Sequence, residues 1–476
     1  MPSAIAAPEE IRTRYVTGLT QLRAGRAEAA IESLRQVLIL DPSHASARRN
    51  LIRALSTVHE HTAIIDETGR ALRDAPDSAE LHFLSGTAFN ALSRPTEACE
   101  SLTVAVRLNP SFAPGWLNLG NALMDLGYPE AAEAHCRQAL ALDPVLTEAL
   151  ISLGFMLTAA GRLTEAVRVL EEAISAHPDN VHAHWNLATA VLLAGDLRRG
   201  FAEYEWRKRH DRFRLDFVNA RGAVWDGGDP RGRTILIQAE QGIGDTVQFA
   251  RYLPAIAERG GKPVLVCTPS LVPFLKTLPG VEVISKCDPL PRYDVWIDQM
   301  SLPHVFGTTL DTIPSPSGYL SADPALIAAR RASLPPTMRI GLVWGGNPMH
   351  RNDHQRTPPA EVFAPLLALP DRHVISLIPD RALPGMVCPA RPLTNYAETA
   401  ALISALDLIV TVDTSVAHVA GALGRPAWVL LPFAPDWRWL LNRNDTPWYD
   451  SLRLFRQPAP GDWRSVISSV VAALAA

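Results

Sequence analysis

The run Gln241-Gly242-Ile243-Gly244-Asp245 sets two glycines and a carboxylate between a short apolar segment and a helical one. Glycine permits a tight turn and close backbone approach, and the first turn of a helix presents N–H groups without intrahelical partners. Asp245 suits such a place in two ways: as a general base beside a bound hydroxyl, or as a helix N-cap, where aspartate is among the preferred residues. A second run, DLIVTVDTSVAHVAGALGRPAWVLL, reads as a strand that ends at Asp413 and a helix that begins at Thr414-Ser415. Two hydroxyls and several free N–H groups then converge on one spot where the helix dipole favours an anion, so a pyrophosphate would fit. The same residues also describe a well-capped helix packed through Gly421 against a sheet. This half of the chain has no DxD motif and hence no sign of a metal-bridged phosphate; neither metal nor cofactor is expected. His304 and His350 fall in loops that could border a cleft, where a lone histidine is usually just solvated. Trp437, Trp439 and Trp448 could stack a nucleobase or pack a core.

The elements that must carry these residues alternate between short apolar strands and helices. TILIQ begins at Thr234, a helix follows from about Asp245, and PVLVC, LVPFLKTL and VEVIS continue the pattern. A second such unit begins at RIGLVWGG, 339–346, and runs through HVISLI, DLIVTV and AWVLL. The expected fold class is therefore α followed by α/β, the latter a pair of Rossmann-type lobes spanning 232–325 and 326–476. Ligands of such lobes meet the carboxyl ends of the strands. A GxGxxG turn with a downstream ribose-binding acid is missing, which argues against a dinucleotide-dependent epimerase or dehydrogenase.

Upstream, Pro42, Pro76, Pro110, Pro144 and Pro178 stand 34 residues apart without a slip, and 34 is the tetratricopeptide period. Gly86, Gly120 and Gly154 recur on the first helix of each repeat, and Ala98, Ala132, Ala166 with Ala105, Ala139, Ala173 on the second. Small residues let antiparallel helices cross closely, while Trp116, Leu119, Leu123 and Leu150, Leu153, Leu157 supply the stripe that buries one face. Each proline ends a second helix. About six repeats fill residues 1–207, GFAEYEWRKR being a terminal cap, and 208–231 reads as a linker rich in charge and glycine. Asn50, Asn118 and Asn186 share the sixth position of alternate repeats, with Asn121 three residues after Asn118 on the same face. A carboxamide can pair with a peptide backbone whatever its side chains, so these four are candidate acceptor contacts; solvated helix surface is the alternative.

With 45 Lys+Arg against 49 Asp+Glu, the chain offers no broad basic field for nucleic acid. The start, MPSAIAAPEE, lacks the basic and apolar regions of a signal peptide, and no run reaches about 18 apolar residues. A cytoplasmic protein without a membrane span is expected. Five scattered cysteines, Cys99, Cys136, Cys267, Cys287 and Cys388, suggest neither disulfides nor a zinc site and read as buried thiols.

Together, the GxGD turn, the strand–DT(G/S)xxH helix and their order resemble the heptosyltransferases of lipopolysaccharide synthesis, which have the glycosyltransferase-B (GT-B) fold. HRNDHQRTP, DWRWLLNRNDTPWYDSLRLFRQ and the closing GDW look like bacterial proteins that join tetratricopeptide repeats to such a domain, so the resemblance covers nearly the whole chain. The asparagine set resembles the ladder of the repeat-containing O-linked N-acetylglucosamine transferases. These resemblances imply that Asp245 is the general base, that Arg356 faces the phosphates, and that Asp413, Thr414, Ser415 and His418 bind the nucleotide diphosphate, with Gln241, Gly242 and Gly244 beside the donor. Ser415 stands where the family has glycine and Arg356 where it has lysine, which implies altered phosphate contacts. The short first lobe implies an acceptor held elsewhere, a protein or peptide in the repeat groove, flagellin-like in some bacteria, with a nucleotide-sugar as donor. The rival readings are a lipopolysaccharide or glycan sugar transferase and a non-catalytic repeat scaffold with a decayed lobe.

Overall fold

The computed structural model describes residues 8–210, 220–314, 318–349 and 353–475; residues 211–219 of the linker, and His350, lie outside them. Two compact units form, Met1–Leu157 with Arg168–Pro178, and Thr158–Val167 with Asp179–Ala476. The repeat register and the compact units thus divide the chain at different places, because the sixth repeat shares a core with the two sheets.

Twelve repeat helices are present among the described residues: α1 Pro8–Arg23, α2 Ala27–Leu40, α3 Ala45–Thr57, α4 His61–Asp74, α5 Ala79–Ala91, α6 Pro95–Leu108, α7 Ala113–Asp125, α8 Pro129–Leu142, α9 Thr147–Ala159, α10 Leu163–Ala176, α11 Val181–Leu193 and α12 Leu197–Tyr204. Each repeating proline follows the end of a second helix by two residues, as with Leu40 and Pro42 or Leu108 and Pro110. The small residues sit at the crossings. A β-carbon at Gly86 would meet Leu102 Cγ at 2.5 Å, and one at Gly154 would meet Leu170 Cγ at 2.4 Å. The recurring alanines are all buried. A further periodic feature lies in the turns between paired helices, where Gly25, His59, Ser93, Gly127, Gly161 and Gly195 all have positive φ. A left-handed residue closes the end of the first helix in each repeat; glycine fills it without strain in four repeats, and His59 and Ser93 accept it in two.

The second unit contains two all-parallel sheets. The first comprises β1 Thr234–Gln238, β2 Lys262–Cys267, β3 Glu282–Ser285 and β4 Val295–Asp298 in the order β3-β2-β1-β4. The second comprises β5 Met338–Val343, β6 Arg372–Ser376, β7 Leu408–Val412, β8 Ala427–Leu431 and β9 Leu452–Arg456 in the order β6-β5-β7-β8-β9. Strands covered on both faces read as apolar runs, which is why β7 is buried at every position. One hydrophobic core runs from α11 and α12 through both sheets to the last helix, Trp463–Ala475. The fold is thus a tetratricopeptide-repeat helical array followed by Rossmann-like α/β lobes.

The structure corrects one expectation and decides between the alternatives of two others. The cysteines are not all buried: Cys287 and Cys388 are exposed and Cys99 is half-buried, since they fall in loops or on a helix flank rather than in strand interiors. Trp437, Trp439 and Trp448 are buried, packed edge-to-face with Phe201 and one another or stacked on His418, so no face is open to a base. Gly421 packs not on the sheet but on the Tyr449 ring, where a β-carbon would lie 2.3 Å from Cδ1.

Candidate functional site

Both sheets change direction of winding at one point, between β1 and β4 in the first and between β5 and β7 in the second. The crevice of an open α/β sheet lies outside the strand carboxyl ends at that point. After β1 the chain turns through Gln241 and enters α13, Ile243–Phe249. After β7 it passes Asp413 and enters the helix Ser415–Ala422, with Thr414 at its N-cap. The two helix starts pack against each other. A β-carbon at Gly244 would stand 2.7 Å from His418 Cδ2 and 3.5 Å from Ser415 Cα, so only glycine allows this approach.

Asp245 is the third residue of α13 rather than its N-cap, which is Gly242. Its Oδ2 accepts the Gly242 N–H at 2.8 Å, closing the turn from inside. Its Oδ1 pairs with Arg438 Nη2. Arg438 comes from a short 3-10 turn after β8, Trp437–Trp439. The same guanidinium donates to Gln248 Oε1 at 2.7 Å and to Asp436 Oδ1 at 2.8 Å. Burial opposes its charge, yet Asp436 and then Asp245 outweigh burial and hold it above its ordinary value. Arg438 therefore ties the first lobe's glycine turn to the second lobe. Sequence reasoning missed it, because nothing local marks it among the other arginines.

Arg356 lies at the end of β7: its Nη1 donates to the Asp413 carbonyl at 3.0 Å and its Nε to Asp353 Oδ1 at 3.1 Å. Gly346 makes room for it, since a β-carbon there would be 2.4 Å from Arg356 Nη2. The Asp413 carboxyl is pushed up to about 6, first by burial and then by the neighbouring Asp436 carboxylate, with Trp439, Arg438 and Arg356 pulling the other way. Ser415 Oγ is 3.0 Å from the Tyr396 hydroxyl, and Thr414 Oγ1 is 3.1 Å from Thr411 Oγ1. His418 is buried, its Nδ1 3.0 Å from the Tyr449 hydroxyl. Burial, then Arg438 and Arg251, hold its imidazole well below its ordinary value. It is a neutral packing partner of Gly244 and Trp439 more than a charged one.

The candidates thus fall into groups. Gly244, Asp245, Ser415 and His418 meet at the packed helix starts, and Arg356, Asp413 and Thr414 adjoin them at the end of β7. Gln241 turns away: its φ is +62° and its Oε1 accepts the Tyr204 hydroxyl at 3.1 Å. His304 is exposed on a short turn, Leu302–Val305. Of the asparagines, Asn50 donates to Ser46 O at 2.8 Å and to the Tyr15 hydroxyl at 3.1 Å, and Asn118 to Pro114 O at 2.9 Å. Asn118 O in turn accepts from Asn90, a link between repeats that the sequence did not suggest. Asn121 and Asn186 are half-buried on α7 and α11.

Residues 15–55, 113–144 and 157–200 match tetratricopeptide-repeat families. Residues 384–430 match glycosyltransferase family 9 (heptosyltransferase), a span that includes Asp413, Thr414, Ser415 and His418. Protein FlbA of Caulobacter vibrioides is 24% identical over 97% of this chain and 83% of its own length. The human protein O-mannosyl-transferase TMTC3 is 24% identical over 38% of this chain and 20% of its own. Among solved structures, MamA aligns at 20% identity and a TM-score of 0.33, covering 36% of this chain and 93% of that one. No helix among the described residues is long and apolar enough to cross a membrane. The chain is built from tetratricopeptide repeats followed by a glycosyltransferase family 9 domain, a combination that fits a repeat-containing glycosyltransferase.

Proposed function

We propose that this protein is a metal-independent, GT-B-type glycosyltransferase that moves a sugar from a nucleotide-sugar to a protein acceptor held by the repeats, in the bacterial cytoplasm. The observation that carries the reading is the meeting of two helix starts, α13 and Ser415–Ala422, at the winding reversals of their sheets, with Gly244 against Ser415 and His418 and with Arg438 bonded to Asp245.

Transfer needs an acceptor oxygen deprotonated beside the anomeric carbon and a leaving diphosphate whose growing charge is stabilised. Asp245 takes the proton. Each of its oxygens holds one hydrogen bond, to Gly242 N–H or to Arg438, and keeps a second lone pair for the acceptor proton. The diphosphate lies at the start of Ser415–Ala422, where the helix dipole, the Thr414 and Ser415 hydroxyls and the Arg356 guanidinium take up its charge. With positive charge supplied in this way, no bridging metal is required. The protein O-mannosyl-transferase relative and the repeats favour a protein as acceptor.

A thermal-shift screen against UDP-, GDP-, ADP- and CMP-sugars tests the donor, since a ligand at 100 times its Kd stabilises by about 2.7 kcal/mol. One nucleotide class should raise Tm, and transfer from it to protein should survive EDTA. A flat screen at millimolar concentration, or turnover that EDTA abolishes, overturns the reading.

A further inference from the structure

Between β1 and α13 the chain makes its turn at Gln241, whose φ of +62° lies in the left-handed region that a β-carbon disfavours. A conformation of this kind persists only where its surroundings impose it. Both side chains at the turn are held by residues from the end of the repeats. Glu240, 3% exposed, receives Arg207 Nε at 3.0 Å and Arg207 Nη2 at 2.5 Å, and also the Met300 N–H at 3.0 Å. Arg207 itself has no exposed surface, and its Nη2 also reaches Ser301 Oγ at 2.9 Å. Gln241 Oε1 accepts the hydroxyl of Tyr204, a residue 2% exposed, while Gln241 Nε2 is buried without a hydrogen-bond partner among the described residues. Tyr204 ends α12 and Arg207 lies in the 3-10 turn Glu205–Arg209, so the two stand three residues apart and grip adjacent residues of the loop.

A bidentate guanidinium–carboxylate pair fixes direction as well as distance, and a desolvated one has no water to exchange with. The loop it fixes leads straight into Gly242, whose N–H donates to Asp245 Oδ2, so a rotation at Gln241 moves one of the two donors that orient the Asp245 carboxylate. We propose that Tyr204 and Arg207 are positioning residues for Asp245: the last turn of the repeat array sets the glycine-rich turn in its strained conformation and thereby aims the carboxylate. This rests on the reading of Asp245 as the acceptor base.

The experiment uses the full chain and two variants. Tyr204→Phe keeps the ring and its packing and removes only the bond to Gln241. Arg207→Met with Glu240→Leu replaces the buried pair by apolar residues of similar size, so neither member of the pair is left stranded, and Glu205, which Arg207 also contacts, keeps Lys208. Three quantities are read: kcat and Kd for the nucleotide-sugar that shifts Tm most in the panel above, and hydrogen exchange of amides 239–245. Misplacement of a reacting group by about 1 Å costs on the order of 100-fold in rate. Tyr204→Phe should therefore lower kcat by roughly tenfold and the double variant by roughly 100-fold, with donor Kd within about twofold of wild type. Exchange at 239–245 should rise in both. Wild-type exchange in Tyr204→Phe overturns the proposal, as does faster exchange with unchanged kcat. If the wild-type protein transfers no sugar, the proposed function fails on its own, and the exchange data still decide whether Tyr204 and Arg207 hold the turn.

Discussion

Asp245 shows why a residue type at a given spacing is a weak guide to its work. From sequence it was a base or an N-cap; in the structure it caps from the third helical position and also faces Arg438. Asp245→Asn removes the base, but its single acceptor oxygen can serve only one of the two partners. We expect a loss of about 1–3 kcal/mol of stability, because a buried guanidinium donor is left unpaired. Turnover of the folded fraction should fall by roughly 100-fold or more while donor affinity holds. The measurement is specific activity normalised to folded protein by calorimetry; normal activity at a lowered Tm would make Asp245 an anchor only. The partner that gives this carboxylate its setting was not legible. Arg438 is 193 residues away along the chain and is one of 45 Lys+Arg, so only the fold selects it.

At the level of elements, the strands that were readable are those written as unbroken apolar runs or as short β-branched segments. TILIQ, PVLVC and AWVLL became β1, β2 and β8 almost to the residue. β4 and β9 were not foreseen: VWID is four residues long with its acid at the end, and LRLFR is interrupted by two arginines at the sheet edge. The helix after β7 was placed to within a residue, since a hydroxyl pair following an apolar strand is a start signal with a mechanism. That helix start offers a clean test of the donor site. Ser415→Asp puts a carboxylate in the first helical turn, where the dipole favours it by about 0.3–1 kcal/mol, so the fold should survive. A bound diphosphate would meet that charge at about 5 Å, a repulsion of about 3 kcal/mol at an effective dielectric of 20, or roughly 100-fold in affinity. Titration calorimetry with the nucleoside diphosphate reads this directly. Unchanged affinity with an intact circular-dichroism spectrum would move the donor site to another segment.

Across the whole molecule the repeats were the most legible part, because a fixed 34-residue offset carries its own register and each small residue has a crossing to fill. The core's continuity was not legible: α11 and α12 repeat like their predecessors but close on the lobes' core, a tertiary choice that no period encodes. The asparagines are where the proposed acceptor contact can be tested against the repeat pattern. Asn50 and Asn118 each donate one amide hydrogen back to their own helix, which orients the carboxamide and leaves its remaining hydrogen-bonding capacity to be met by a neighbour such as Tyr15 or by an acceptor backbone. Replacing Asn50, Asn118 and Asn186 together by alanine should remove about 0.5–1.5 kcal/mol for each, lowering affinity for a full-length protein acceptor by roughly 10-fold to 1000-fold. Donor binding and slow donor hydrolysis should be unchanged, since neither depends on holding an acceptor. Loss of the Asn50–Tyr15 contact makes Tm the necessary control for the repeats themselves. If the triple variant modifies full-length acceptor at the wild-type rate under subsaturating conditions, the asparagine reading fails, and these residues serve only the helices they stand on.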